Sequence, residues 1–366
     1  MEVKCLNCGR PYPETGAPYR CPACGGLYDF AAPPTFGALD QSQPGIWRYA
    51  SSFGFPFGSA QGEVAPVSLG EGNTPLVSAK VFKREVFFKC EYENPSGSFK
   101  DRGTATLVAF LKSRRVTEAV EDSSGNAGAS FAAYAAQAGI RARVFVPESA
   151  SGPKRKQIEE YGAELIPVPG PRSNAAEAVR RAADAGAVYA SHAYLPFNLP
   201  GYATVAYEIV EQLGRAPGAV IVPAGQGGLL LGAWRGFLAL KQAGVTRDAP
   251  RMIGVQAAAC APLFALSQMG PQGLQWVTEA PTLAEGVRVR SPLRAEAVLQ
   301  AVESSGGKFI AVDEAFILPG RDELKRRGLY VETTSALVWR ALEETLKTLP
   351  DPVVAILTGA GYKFQG

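Results

Sequence analysis

Ala219-Val220-Ile221-Val222-Pro223-Ala224-Gly225-Gln226-Gly227-Gly228-Leu229 runs from an unbroken apolar segment through a glycine turn into a helical pattern that continues to Gln242. A short apolar run without alternation suits a strand covered on both faces, the usual state of strands in parallel sheets. The three glycines of the turn let consecutive backbone N–H groups converge on an anion without interference from Cβ atoms. Outward from this unit the same order repeats. Candidate strands at Val86–Glu91, Val116–Glu121, Ala142–Val146, Glu164–Val168, Val188–Ala190, Met252–Gln256, Lys308–Val312 and Val353–Leu357 alternate with amphipathic or alanine-rich segments. Those segments are Thr104–Lys112, Gly128–Gln137, Pro153–Tyr161, Ala175–Ala185, Thr204–Leu213, Glu314–Arg326 and Ser335–Leu346. The alternation predicts an α/β fold with mostly parallel sheets, and the helices suffice to cover two sheets on both faces.

A chain of 366 residues can bury two cores. Its net charge of +3 is too small to make nucleic acid or an anionic membrane the main partner. No basic start leads into an apolar run at the N-terminus, and apolar stretches such as Gly227 to Trp234 are far shorter than a bilayer span. The expected setting is cytoplasmic. His192 is the only histidine, which excludes multi-histidine metal sites. No serine elbow accompanies it, so it reads as a structural or pocket-lining residue rather than a general base.

Four of the six cysteines are Cys5, Cys8, Cys21 and Cys24, two Cys-x-x-Cys pairs with twelve residues between them. Each pair can set two thiolates on one side of a tight turn, and two such turns supply tetrahedral ligands for structural zinc. Residues 1–35 therefore read as a zinc ribbon. They carry few basic side chains, which argues against a nucleic-acid role. Cys90 and Cys260 stand alone and read as buried apolar residues. The Pro-, Gly- and Ser-dense stretch from Pro33 to Gly62 reads as a linker or wrapping segment.

Ligands in open α/β sheets bind beyond the carboxyl ends of strands, where loops enter helices. The loop after Val222 lacks the lysine and Ser/Thr of a nucleotide P-loop, and no acidic residue follows as a dinucleotide site requires. A small phosphate-bearing cofactor fits it better. Ser123-Ser124-Gly125-Asn126-Ala127-Gly128 offers hydroxyls, an amide and helix-start N–H groups, which suit an amino-acid carboxylate as well as an ordinary capped turn. Thr358-Gly359-Ala360-Gly361 presents a hydroxyl at a strand end. Ser96-Gly97-Ser98-Phe99-Lys100-Asp101-Arg102-Gly103 places one lysine where a glycine-serine turn opens a helix. The positive end of a helix disfavours an ammonium, and a neutral lysine amine adds to carbonyls.

Taken in order, Gly70-Glu71-Gly72-Asn73-Thr74-Pro75-Leu76, Ser96 to Gly103, Ser123 to Gly128, Gly225 to Leu229 and Thr358-Gly359 resemble the threonine-synthase-like branch of the fold-type II pyridoxal-phosphate enzymes. The resemblance spans Val67 to about Gly361. It implies two open twisted sheets in a catalytic region of residues 36–366, with about 95–195 as a smaller inserted α/β subdomain. It implies that Lys100 forms a Schiff base with pyridoxal 5'-phosphate and later shuttles the substrate's Cα proton, with Phe99 also in contact with the cofactor. Asn126 would bond the ring hydroxyl oxygen. Gly225, Gln226, Gly227, Gly228 and Leu229 would wrap the phosphate, and Thr358 would meet the pyridine nitrogen. Ser123, Ser124 and Ala127 would receive the substrate carboxylate.

The activity so implied is a carbon–oxygen lyase on a small amino acid, foremost O-phospho-L-homoserine plus water to L-threonine plus phosphate. The expected assembly is a homodimer. A dehydratase-like or other β-eliminating or β-replacing enzyme is the alternative, and a non-catalytic binding protein on the same scaffold is a third class. Two positions depart from the threonine-synthase pattern: Asn198 stands where an arginine is expected, and Leu229 where a second asparagine is common. Lys154, Arg155 and Lys156 would compensate for the first if they face the cleft, and otherwise read as a solvated helix start. Ala284-Glu285-Gly286-Val287 is similar to the dehydratases.

Overall fold

The computed structural model describes residues 2–54, 66–149 and 152–363. Its strands are β1 (Val3–Cys5), β2 (Tyr28–Phe30), β3 (Leu76–Val81), β4 (Arg84–Lys89), β5 (Glu118–Glu121), β6 (Arg141–Pro147), β7 (Glu164–Val168), β8 (Ala219–Pro223), β9 (Arg251–Ala257), β10 (Lys308–Val312) and β11 (Val353–Ile356). Its α-helices are α1 (Lys100–Ser113), α2 (Asn126–Ala138), α3 (Pro153–Glu160), α4 (Arg172–Asp184), α5 (Leu199–Leu213), α6 (Gly228–Gln242), α7 (Pro262–Met269), α8 (Ala295–Ser304), α9 (Ile317–Lys325) and α10 (Thr333–Thr345). The chain divides into two compact units. One holds the described residues of 1–72 and 100–201, the other those of 73–99 and 202–363.

In the first unit β5, β6 and β7 form a parallel sheet in that order. Residues Asp101 to Leu111 of α1 are all buried, so this helix is covered on every side rather than along one stripe. The alanine-rich α2 packs against it and ends at Gly139, whose φ of 72° gives the left-handed turn that closes a helix. The expected strand Val188–Ala190 is reduced to one parallel bridge, Tyr189 opposite Val120. Val120 still donates to Val188 O at 2.8 Å, and Ala190 donates to Val120 O at 2.9 Å. β1 and β2 make an antiparallel ribbon. Tyr12, between them in sequence, packs edge-on against Phe110 of α1 and against Phe197. The segment from Pro33 is described as far as Gly54 and wraps the unit, burying Ile46, Trp47, Tyr49 and Phe53. Its remainder, residues 55–62, lies outside the described residues.

The second unit is built on a six-stranded sheet, β10-β9-β8-β11-β4-β3. All pairings are parallel except the β3–β4 hairpin. β11 sits between β8 and β4 and is wholly buried, as its unbroken Val353-Val354-Ala355-Ile356 run requires. The core joins Val86, Phe88, Ile221, Val255 and Ile310 to Leu337, Val338 and Leu342 of α10. The Gly225–Leu229 and Thr358–Gly361 loops leave this sheet after β8 and β11, both at carboxyl ends of parallel strands.

Candidate active site

Lys100 is the first residue of α1 and is half-buried. The chain reaches it through a short antiparallel crossing in the second unit. There Phe99 N donates to Thr358 O at 3.0 Å, Ala360 N donates to Gly97 O at 3.0 Å, and Ser98 bridges Gly359. Gly97 has a φ of 84°, and a Cβ there would lie 2.6 Å from the Tyr362 hydroxyl oxygen. Only glycine fits this approach.

In the first unit Ser123, Ser124, Gly125 and Asn126 join β5 to α2. Ser123 is buried and its Oγ accepts from Gly125 N at 3.2 Å. A Cβ on Gly128 would lie 1.8 Å from Ser123 O, so the helix starts directly against its own loop. This gives a helix N-terminus lined by Ser124, Asn126 and Ala127, suited to a carboxylate. The neighbouring turn is Ser191–Asn198. His192 Nδ1 lies 2.7 Å from Glu121 Oε1, and Asn198, itself buried, donates from Nδ2 to His192 O at 2.6 Å. Asn198 thus braces its own loop. Burial, followed by the positive charges of Lys100 and Arg172, holds the imidazole well below its ordinary pKa, with Asp122 opposing. Burial likewise pushes the Glu121 carboxyl up. Burial and the Glu121 charge push Asp122 up to about 6, although Tyr189 OH donates to it at 2.7 Å.

In the second unit the Gly225–Leu229 turn links β8 to α6. Among the described residues no acceptor in the chain takes the backbone amides of Gly225 through Leu229. A Cβ on Gly225 would come within 2.9 Å of Gly286 O, and one on Gly227 within 2.6 Å of Val298. Gln226 Oε1 accepts from Leu293 N at 3.0 Å and pins the turn. Five open amides in a cradle that only glycine permits fit a phosphate group.

Thr358 is buried at the end of β11, with its Oγ1 3.0 Å from Ser335 Oγ. Ser335, in the first turn of α10, carries no motif and is not legible as a site residue in the sequence. Its Oγ accepts from Thr358 N at 2.9 Å and Gly359 N at 3.1 Å. Two acceptor sites filled leave its hydrogen as a donor, and Thr358 Oγ1 is nearer than the 3.4 Å alternative at Gly359 O. Thr358 Oγ1 then accepts from Ser335 and keeps its own hydrogen to donate, the polarity that an unprotonated pyridine nitrogen needs.

The motif-like Gly70–Leu76 stretch does mechanical duty instead. Glu71 accepts from Tyr134 OH at 2.7 Å and from Leu69 N at 2.9 Å within the first unit. Asn73 N and the buried Lys89 amine both bond Glu208, at 2.8 Å each, within the second.

The sulfurs of Cys5, Cys8, Cys21 and Cys24 lie within 4.8 Å of one another. Cys5 and Cys24 are 3.5 Å apart and Cys8 and Cys21 are 3.7 Å apart. Tetrahedral zinc with bonds of about 2.3 Å sets its sulfurs about 3.8 Å apart. Gly9 and Gly25 take φ of 73° and 72° after each pair. A Cβ on Gly26 would lie 2.8 Å from Cys5 Sγ, so the turn also needs that glycine. The donor set fits a closed metal site. Among the described residues no helix is long and apolar enough to cross a membrane.

Comparison with known proteins converges on one group. The profile of the family described as "Pyridoxal-phosphate dependent enzyme" matches residues 67–359. The threonine synthase of Methanocaldococcus jannaschii is 33% identical over 99% of this chain and 93% of its own length. That of Synechocystis sp. is 34% identical over 88% of this chain and 85% of its own. Among solved structures, a T.th. threonine deaminase superposes with a TM-score of 0.68 at 26% identity, covering 80% of this chain and 94% of that one. Maize serine racemase gives the same TM-score at 24% identity over 79% of this chain and 88% of that one, a likeness of fold.

Proposed function

The chain belongs to the family of pyridoxal-phosphate dependent enzymes, and from that premise we propose that it is a lyase converting O-phospho-L-homoserine and water into L-threonine and phosphate. The observation that carries this reading is the span of its likeness to threonine synthases, which takes in nearly the whole chain, ribbon included. The amides of Gly225, Gln226, Gly227, Gly228 and Leu229 hold the cofactor phosphate in this reading. Asn126 would bond the ring hydroxyl oxygen, Phe99 would contact the cofactor, and Thr358, bonded to Ser335, would meet the ring nitrogen. When bound, the cofactor supplies an electron sink for charge developing at the substrate Cα.

Lys100 would hold the cofactor aldehyde and would move the proton at Cα. Ser123, Ser124 and Ala127 bind the substrate carboxylate at the start of α2 and orient the Cα–H bond. A hydroxyl partner such as Thr358 would not hold the ring nitrogen protonated, as a carboxylate would. That favours reactions in which a leaving group removes charge from carbon. Zinc held by Cys5, Cys8, Cys21 and Cys24 has a structural part only, since four thiolates leave no open position. The same reading takes residues 1–35 as the ribbon, 36–366 as the catalytic region, and the assembly as a homodimer, which sedimentation would check.

One observation favours a second reading, β-elimination from serine or threonine. Asn198 occupies the expected arginine position and is committed to His192 O. A bidentate arginine on a dianion contributes a few kcal/mol. Equimolar threonine and phosphate from O-phosphohomoserine support the first reading, and 2-oxobutanoate from threonine without phosphate release supports the second.

A further inference from the structure

We propose that Thr334 is a positioning residue for the cofactor's phosphate, acting through a strap, residues 283–293, that lies against the turn at 225–229 and presets its shape. This rests on the reading that the amides of that turn hold the phosphate. Every residue involved belongs to the second unit.

The strap meets the turn directly. A Cβ on Gly225 would lie 2.9 Å from Gly286 O and 3.1 Å from Val287 Cα, so strap and turn touch backbone to backbone. A Cβ on Gly286 would in turn lie 2.8 Å from Thr334 Oγ1. Gly286 thus sits between Gly225 and Thr334, and its amide donates to Thr334 Oγ1 at 3.1 Å. The neighbouring Thr333 Oγ1 donates to Leu283 O at 2.5 Å. Both hydroxyls come from the first turn of α10. At its far end the strap donates Leu293 N to Gln226 Oε1 at 3.0 Å. It is therefore tied to α10 at one end and to the turn itself at the other.

These ties matter because a glycine-rich turn has few side chains with which to hold itself. Aligning its amides on one anion costs conformational entropy unless the surroundings have already fixed them. The entry to the turn is fixed by β9: Ala224 N donates to Val255 O at 2.8 Å, and Ala224 O accepts from Gln256 Nε2 at 2.9 Å. The exit is fixed by α6, where Leu231 N donates to Gly227 O at 2.9 Å. Between those points the strap supplies the contact at Gly225 and the bond at Gln226. The strap has one short helical turn, Glu285–Val287, and otherwise takes its shape from its anchors. Thr334 anchors it at the residue that touches Gly225. The next side chain, Ser335, bonds Thr358. Two consecutive residues of α10 thus set the phosphate end and the ring end of the site.

Pyridoxal and pyridoxal 5'-phosphate share ring and aldehyde and differ in the phosphate. Titrating the full-length protein, freed of cofactor, with each of them and following the visible band isolates what the turn contributes. Thr334→Val keeps the side-chain shape and removes the acceptor for Gly286 N. It is expected to weaken the phosphorylated form about fivefold to tenfold and to leave pyridoxal within about twofold. Thr334→Ser restores the hydroxyl and with it the wild-type ratio of the two affinities. Gln226→Met removes the other tie and shifts the ratio in the same direction. Combined with Thr334→Val it costs less than the product of the two, because both act on one strap. Equal weakening of both compounds in Thr334→Val, an unchanged ratio, or no rescue by serine overturns the proposal. If Thr334→Val does not fold, Thr334→Ala carries the same test. Failure of the underlying reading has its own signature: wild-type protein that takes up pyridoxal as tightly as its phosphate, which removes the phosphate from the turn and the proposal with it.

Discussion

Phe99 donates its backbone amide to the carbonyl of Thr358 at 3.0 Å. The residue from which Lys100 follows in sequence is thereby fixed to the end of β11. Thr358 is fixed in turn by Ser335, through its own amide and its hydroxyl. One buried serine thus governs both where the Thr358 hydroxyl sits and which way its hydrogen points.

Ser335→Ala should therefore act on stability and on the cofactor together. Two buried amides, of Thr358 and Gly359, lose their acceptor, at a cost of about 1–3 kcal/mol. Urea unfolding should register that loss, and the visible band of the bound cofactor should shift. An unchanged band with unchanged stability would remove Ser335 from the site.

The Lys89–Glu208 pair is 2.8 Å apart and almost wholly buried, with Thr74 O and Gln212 completing the lysine's bonds. Breaking one side strands a charge. Lys89→Met should cost about 3–5 kcal/mol, and Lys89→Met with Glu208→Leu should cost less than Lys89→Met alone. Equilibrium unfolding of the three proteins checks the ordering.

Asp122 gives a pH dependence of definite sign. Its carboxyl is pushed from an ordinary value near 3.8 up to about 6, so between those values the folded protein binds a proton that the unfolded chain has released. Its contribution to stability therefore falls as pH rises through that window, and above it the penalty is about 3 kcal/mol at most. Asp122→Asn should raise Tm at pH 7.5 and leave it nearly unchanged at pH 4. A lower Tm at both values would mean that the carboxylate is stabilising.

Removal of the proposed zinc should be felt beyond the ribbon, because Tyr12 packs on Phe110 of α1 and on Phe197 beside Asn198. Chelation, or Cys24→Ser, should lower Tm by several degrees and raise hydrogen exchange in α1. Exchange confined to residues 2–35 would show the ribbon to be energetically separate.

Much of this was legible in the sequence for identifiable reasons. β8 and β11 announce themselves because strands buried on both faces have no polar alternation to confuse with a helix. Lys100 opens α1 as its glycine- and serine-rich approach predicts, and Gly125 and Gly227 mark the starts of α2 and α6. β3 was not legible because it is an edge strand with polar residues on its open face, Ser78 and Lys80 among them. α7 and α8 are short, of eight and ten residues, and leave a helical period little length in which to repeat. Val188–Ala190 has strand composition but only one neighbour, Val120, to pair with. Ser335 and the Glu121–His192 contact were hidden for another reason. Each depends on residues far apart in the chain, and neither a serine in a helix nor a carboxylate ending a strand signals its partner.

The central claim is that Lys100, and no other lysine, holds the cofactor aldehyde. Protein supplemented with pyridoxal 5'-phosphate, reduced with borohydride, digested and mapped by mass spectrometry tests it most directly. The expected result is a pyridoxyl group on Lys100, lost together with the visible band in Lys100→Ala. A colourless protein with no modified peptide, or a pyridoxyl group fixed on a different lysine, would contradict it.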